Sequence, residues 1–131
     1  MSVRELRVAL TVDRLDEALA FYRDALRLPQ LEAWESEDGR VVLLDVGRAT
    51  LELLDRRHAE AVDQIEVGRS GVSGVVRLAL EVEDSVDTSH RLVEAGGTRV
   101  ADAVETPWRH RNVRVAAPDG MQLTLFTVLQ E

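Results

Sequence analysis

The sequence predicts an α+β domain made of two β-α-β-β-β modules. Two observations carry that prediction. The first is a repeat in the letters. RVALTV at 7–12 stands 70 residues before RLALEV at 77–82, and LEL at 51–53 stands 72 before LTL at 123–125. The second is that strand, helix and turn signals recur in the same order in both halves, which turns a short match into a duplicated unit.

Residues 3–12 alternate as a strand, with Val8, Leu10 and Val12 on one face and Arg7, Ala9 and Thr11 on the other. Asp13 and Asp16 offer N-cap chemistry. Leu15, Ala18, Leu19, Tyr22, Ala25 and Leu26 follow at helical spacing, so a helix is predicted to about Arg27, with Pro29 as its stop. Strands are predicted over 31–37, 40–46 and 49–54, turned by Asp38-Gly39 and Gly47-Arg48. The second half repeats the order. A strand spans 75–82. Asp84 or Ser85 caps a helix that carries Val86, Leu92, Val93 and Ala95 and closes at Gly96-Gly97. Strands follow over 98–104, 111–116 and 121–128, the last pair turned by Pro118-Asp119-Gly120.

The chain has 131 residues, enough for one domain with its own core. The expected division is a first module over 1–54, a linker over 55–74 and a second module over 75–131. The linker has helical composition over 58–65 and glycines at 68, 71 and 74. Those glycines follow no strand and lead into no helix, so no phosphate loop is read there and no cofactor is expected. The absence of cysteine excludes disulfides, thiolate metal sites and cysteine nucleophiles. No apolar run approaches the roughly 18 residues of a membrane span, and no secretory signal is visible, so a soluble cytoplasmic protein is the expectation. The net charge of −8 argues against a nucleic-acid partner. All 16 basic residues are arginine, so no arginine can be read as chosen over lysine.

Within each half one sheet face should pack on the helix. The opposite face carries Arg7, Ala9 and Thr11, then Thr50, Glu52 and Leu54. In the second half it carries Arg77, Ala79 and Glu81, then Gln122, Thr124 and Phe126. A mixed apolar and polar surface of this kind suits a small-molecule site.

The segments VALTV at 8–12, Leu15-Asp16, Ala18, Phe21-Tyr22, Gly96-Gly97, Thr106-Pro107-Trp108 and APDG at 117–120 leading into 123–125 resemble the vicinal oxygen chelate superfamily. This is the glyoxalase/bleomycin-resistance/dioxygenase group. The resemblance implies paired modules forming a cupped, partly open mixed barrel, commonly as a homodimer. It spans enzymes and non-catalytic drug-binding proteins, so fold alone does not decide function.

In the metal enzymes of that superfamily the ligands stand on the first and last strand of each module. By position these points are Arg7, Glu52, Arg77 and Thr124. Arginine offers no lone pair, and threonine is a poor ligand, so Glu52 is the one competent donor. No bound metal is expected. Arg7, Glu52 and Arg77 could form a structural ion-pair triad, or the arginines, with Arg114, could clamp an anionic ligand. Trp34 and Trp108 are candidate ligand walls, or seals on the core. His110, beside Trp108, is the candidate general base. His58 in the linker and His90 on the second helix are expected at the surface. The expected function is a metal-free small-molecule binding protein of the bleomycin-resistance type. Two alternatives remain. One is a lyase, isomerase or dioxygenase of the same fold, and the other is a partner-binding module with a filled interior.

Overall fold

A computed structural model of the chain describes residues 3–130. Its centre is β1 (Glu5–Val12), which both halves use as a neighbour. On one side β1 runs parallel to β4 (Thr50–Asp55), which pairs with β3 (Gly39–Asp45), which in turn pairs with β2 (Gln30–Ser36). On the other side β1 runs antiparallel to β5 (Val76–Glu81), the first strand of the second half. β5 is parallel to β9 (Gln122–Val128), and β9 pairs with β8 (His110–Ala116). β6 (Thr98–Arg99) and β7 (Val104–Glu105) both pair with β8. The result is one open, mixed sheet of nine strands whose two modules meet edge to edge at the β1–β5 seam.

Helices cover the convex face as expected. α1 (Leu15–Leu19) packs Leu15 and Leu19 on Val42, Leu44 and Leu53, with Leu10, Val12 and Tyr22 around them. α3 (Ser85–Glu94) packs Val86 and Leu92 against Val82, Val113, Val115 and Leu125. Each leucine fully removed from water here contributes about 1.5–3 kcal/mol.

The structure corrects several expectations. α1 starts without a side-chain cap, and Asp13 pairs with Arg56 instead. Its last turns, Ala20–Ala25, are π-helical, with the Leu26 amide donating to the Phe21 carbonyl. The helix ends where Arg27 turns left-handed at φ 61°, two residues before Pro29. The single strand expected over 98–104 is two short ones. Pairing sums of 214 at β6 and 216 at β7 show two extra residues between them opposite β8, so the strand bulges away. The helical composition over 58–65, by contrast, forms a helix as expected. α2 (Arg56–Val67) begins at an Asp55 cap that accepts from the His58 amide, and ends at left-handed Gly68. α2 lies on the concave face, against β1, β3, β4 and β8.

The Asp55 carboxylate also accepts from the Arg40 amide, which ties the start of α2 to the β2–β3 hairpin. This brings Gly39, at φ 97°, so close that an added Cβ would collide with the Asp55 carboxylate and the His58 backbone. Gly39→Ala is therefore expected to cost more than about 1 kcal/mol, read as a lowered urea midpoint without a change in slope.

Candidate functional site: a charged cavity between sheet and helix

The antiparallel seam fixes the middle of the concave face. Arg7 lies opposite Ala79, and Ala9 lies opposite Arg77. The repeat thus does not stack the arginines on each other. It pairs each with the other module's alanine, whose small side chain leaves room for a guanidinium. Glu52 lies beside Ala9, and Thr124 beside Ala79.

Above these residues stands α2, with His58, Ala61, Val62, Ile65 and Glu66 along one stripe. The spacing of three, one, three and one is that of a single helix face. Between stripe and sheet lies a cavity of about 520 Å³. Arg7, Glu52, Arg77 and Thr124 line it, as do Trp34, Trp108, His110, Asn112 and Phe126.

Arg114, expected beside a ligand, does not line the cavity. It is 0% exposed and lies behind Glu66, because carboxylates from α2 surround it. Its Nη2 donates to Glu66 Oε1 at 2.9 Å and its Nη1 to Asp63 Oδ1 at 3.1 Å. Thr124 completes the cluster. Its hydroxyl accepts from Arg77 Nη1 at 2.9 Å and Arg114 Nε at 3.3 Å, and donates to Glu66 Oε1 at 2.8 Å. One donor and two acceptor sites are thereby all used. Asn112 Nδ2 donates to Glu66 Oε2 at 2.9 Å.

Asp63 does a second job. It accepts from the amides of Val72 and Ser73 and from the Ser73 hydroxyl, holding the glycine-containing segment that leads to β5. Burial alone would raise its carboxyl. The bonds from Ser73, together with Arg114 and the Val72 amide, outweigh burial and hold it below the usual carboxylate range.

The expected triad of Arg7, Glu52 and Arg77 forms only in part. Arg77 Nη2 stands 3.7 Å from Glu52 Oε2. Arg7 turns the other way. Its Nε donates to Glu5 at 3.0 Å, and its guanidinium carbon lies 5.0 Å from the Phe126 ring centre. Glu5 is held in turn by the Thr50 hydroxyl.

Trp34 lines the cavity from the edge strand β2 and remains 61% exposed, so it stands at the mouth. Trp108 lines it from the turn before β8, where Arg109 adopts φ 67°. His110 stacks on Phe126 with ring centres 4.8 Å apart. Burial pushes its imidazole pKa down, and the Arg7 charge pushes it further, with Glu5 and Glu66 partly opposing. His90 is exposed as expected, but His58 is buried under α2 at 8% exposure. Burial lowers its pKa too, against Glu52 and a bond to the Asp38 backbone. Glu66, His58 and Asn112 are the site residues that sequence reasoning missed. The α2 stripe was the available signal for the first two.

A family model described as the Glyoxalase/Bleomycin resistance protein/Dioxygenase superfamily matches residues 6–125. The chain belongs to that superfamily. No curated protein matches the sequence. Among solved structures, a hypothetical protein from Bacillus halodurans C-125 is similar over 100% of this chain and 98% of its own, with 16% identity and a TM-score of 0.73. Methylmalonyl-CoA epimerase from Mycobacterium tuberculosis is similar over 98% and 90%, with 21% identity and a TM-score of 0.69. A superfamily member from Vibrio splendidus 12B01 covers 96% and 99%, with 16% identity and a TM-score of 0.63. At these identities the likeness establishes the fold.

The metal that superfamily enzymes use does not fit this donor set. Of the four positions, two hold guanidinium groups, and the Thr124 hydroxyl is already saturated. The Arg77 guanidinium bridges the gap between Glu52 and Thr124. Among the described residues no group of three or more His, Asp or Glu side chains is arranged to hold a metal ion.

Two outcomes follow from these charges. Arg114→Met would leave Asp63 and Glu66 buried without their cation, and is expected to cost about 3–5 kcal/mol in urea unfolding. His58 and His110 hold a proton less readily in the folded chain than unfolded histidines, which titrate at about 6.5. The unfolded state then binds more protons, so stability is full above about pH 7 and falls as pH drops through about 6.5. Asp63 contributes no slope there, since its stabilisation is lost only below about pH 4. Thermal unfolding across that range should show a falling Tm, with part of the slope removed in His58→Gln.

Proposed function

We propose that this chain is a metal-free small-molecule binding protein, resembling the bleomycin-resistance type of its superfamily. The observation that carries this reading is the Arg77 guanidinium, set between Glu52 and Thr124 where relatives grip a metal. The fixed positive charge takes the place of the ion, and a cavity of about 520 Å³ beside it stays open to a ligand. Such an open cavity supports ligand binding over a partner-binding module with a filled interior. Arg7, Glu52, Trp34, Trp108 and His110 are the residues we propose to meet the ligand, with Arg77 and Thr124 in the floor. Arg114 acts through Glu66 as a positioning residue.

The reading includes a homodimer. Every residue of the edge strand β2 is exposed, and exposed apolar side chains stand on it at Leu31 and Trp34, and at Phe21 and Leu26 in and just after the first helix. A second copy would shelter these apolar side chains. Sequestration of an antibiotic is the form of binding that the bleomycin-resistance resemblance suggests. A second reading, an enzyme with Glu52 as a metal ligand, draws support from the Glu52 carboxylate, which makes no hydrogen bond among the described residues.

Metal content of protein purified without added metal separates the two. The binding reading predicts zinc, nickel, manganese and iron each far below one per chain. Stoichiometric metal that Glu52→Gln removes would establish the second reading instead.

A further inference from the structure

Two charged groups that line the cavity make fewer hydrogen bonds than they can. Glu66 has both oxygens occupied, by Arg114 and Thr124 on one and Asn112 on the other. Arg77 has Nη1 on Thr124 and Nη2 facing Glu52. Each nitrogen of Arg114 donates at least one hydrogen bond. Arg7 differs. Its Nε is held by Glu5 and its plane rests by Phe126, but neither terminal nitrogen makes a hydrogen bond among the described residues. A guanidinium oriented at Nε and open at both Nη atoms is a preorganised fork for a carboxylate. Glu52 is the anionic counterpart. It is 8% exposed, and its carboxylate makes no hydrogen bond, with Arg77 3.7 Å away as its ion-pair partner. A buried carboxylate in that state needs a donor from water or a ligand.

These two groups face one cavity from adjacent parallel strands. Ala9 lies beside Glu52, and Arg7 lies two residues back on the same face. Their Cα atoms are thus roughly 8 Å apart. Arg7 leans toward Glu5 and Glu52 toward Arg77, so they do not neutralise each other. A dipeptide, whose extended backbone spans about 7 Å, carries both charges and is small enough for a cavity of about 520 Å³ that Arg7 and Glu52 both line. Trp34 and Trp108 line the same cavity and offer apolar walls to a ring.

We infer that the cavity takes a short zwitterion, with its carboxylate on Arg7, its ammonium on Glu52 and an aromatic side chain against the tryptophans. This inference rests on the binding function proposed above and names the ligand class. It assigns the open cation and the open anion to opposite ends of one molecule, where an anion clamp would use the arginines alone.

Three probes of nearly one shape test it by isothermal titration of the native protein. Glycyl-L-phenylalanine carries both charges. N-acetyl-L-phenylalanine lacks the ammonium, and glycyl-L-phenylalaninamide lacks the carboxylate. The dipeptide is expected to bind about tenfold or more tightly than either control, since each lost contact is a charge-assisted hydrogen bond. Glu52→Gln should bring the dipeptide down to the N-acetyl compound, and Arg7→Met down to the amide. If the N-acetyl compound binds as tightly as the dipeptide, the site is an anion clamp and the inference fails while the binding function stands. Equal binding of the amide likewise overturns it. No binding by any of the three at millimolar concentration also overturns it, and the binding function is then judged separately by metal content.

Discussion

Arg114 is the residue on which the concave face depends. It is fully buried, and a buried guanidinium is tolerable only when carboxylates surround it. Both carboxylates come from α2, one turn apart at Asp63 and Glu66. The pairing therefore does more than neutralise a charge. It fixes the helix across the sheet, sets the distance between them, and creates the cavity. Asp63 extends the same anchor to the segment that returns the chain to β5. Glu66 extends it through the Thr124 hydroxyl to Arg77, and so to Glu52. A single run of contacts joins α2 to both modules.

The duplication explains why this site can differ from those of metal-binding relatives. Edge-to-edge pairing brings the repeated strands together antiparallel, so symmetric positions face the same cavity from opposite directions. A symmetric pair of ligands there would suit an ion. Here the symmetric pair is Arg7 and Arg77, and the two guanidinium groups take different carboxylates. They part company. Arg77 takes Glu52 and Thr124, and Arg7 takes Glu5 and Phe126. The module symmetry is thus preserved in the backbone and broken in the charges. That asymmetry is what leaves one cation and one anion open to the cavity.

Much of the fold was legible in the sequence, because period-two alternation and turn chemistry are local signals. RVALTV against RLALEV identified the duplicated strands, and Leu15, Leu19 and Tyr22 sit in the core where helical spacing puts them. Local signals were weaker where tertiary contacts decide. The segment 98–104 reads as one strand, yet its pairing partner β8 takes only two short pieces there, Thr98–Arg99 and Val104–Glu105. Arg114 reads as a clamp for an anionic ligand until Asp63 and Glu66 are brought to it from 51 and 48 residues away. The stripe of His58, Ala61, Val62, Ile65 and Glu66 is a helix face in the sequence itself. Its burial could not be read there, because nothing local says that this helix has a sheet beneath it.

The cavity exists only if α2 is a fixed wall and not a tether lying against the sheet. Amide hydrogen exchange across Arg56–Val67 measures this directly. A helix held by Arg114 should exchange at the middle of α2 only with global unfolding, at the same free energy as the core amides of β4 and β9. Exchange in α2 that is much faster than in those strands would mean that the helix opens locally, and would contradict the anchored cavity described here.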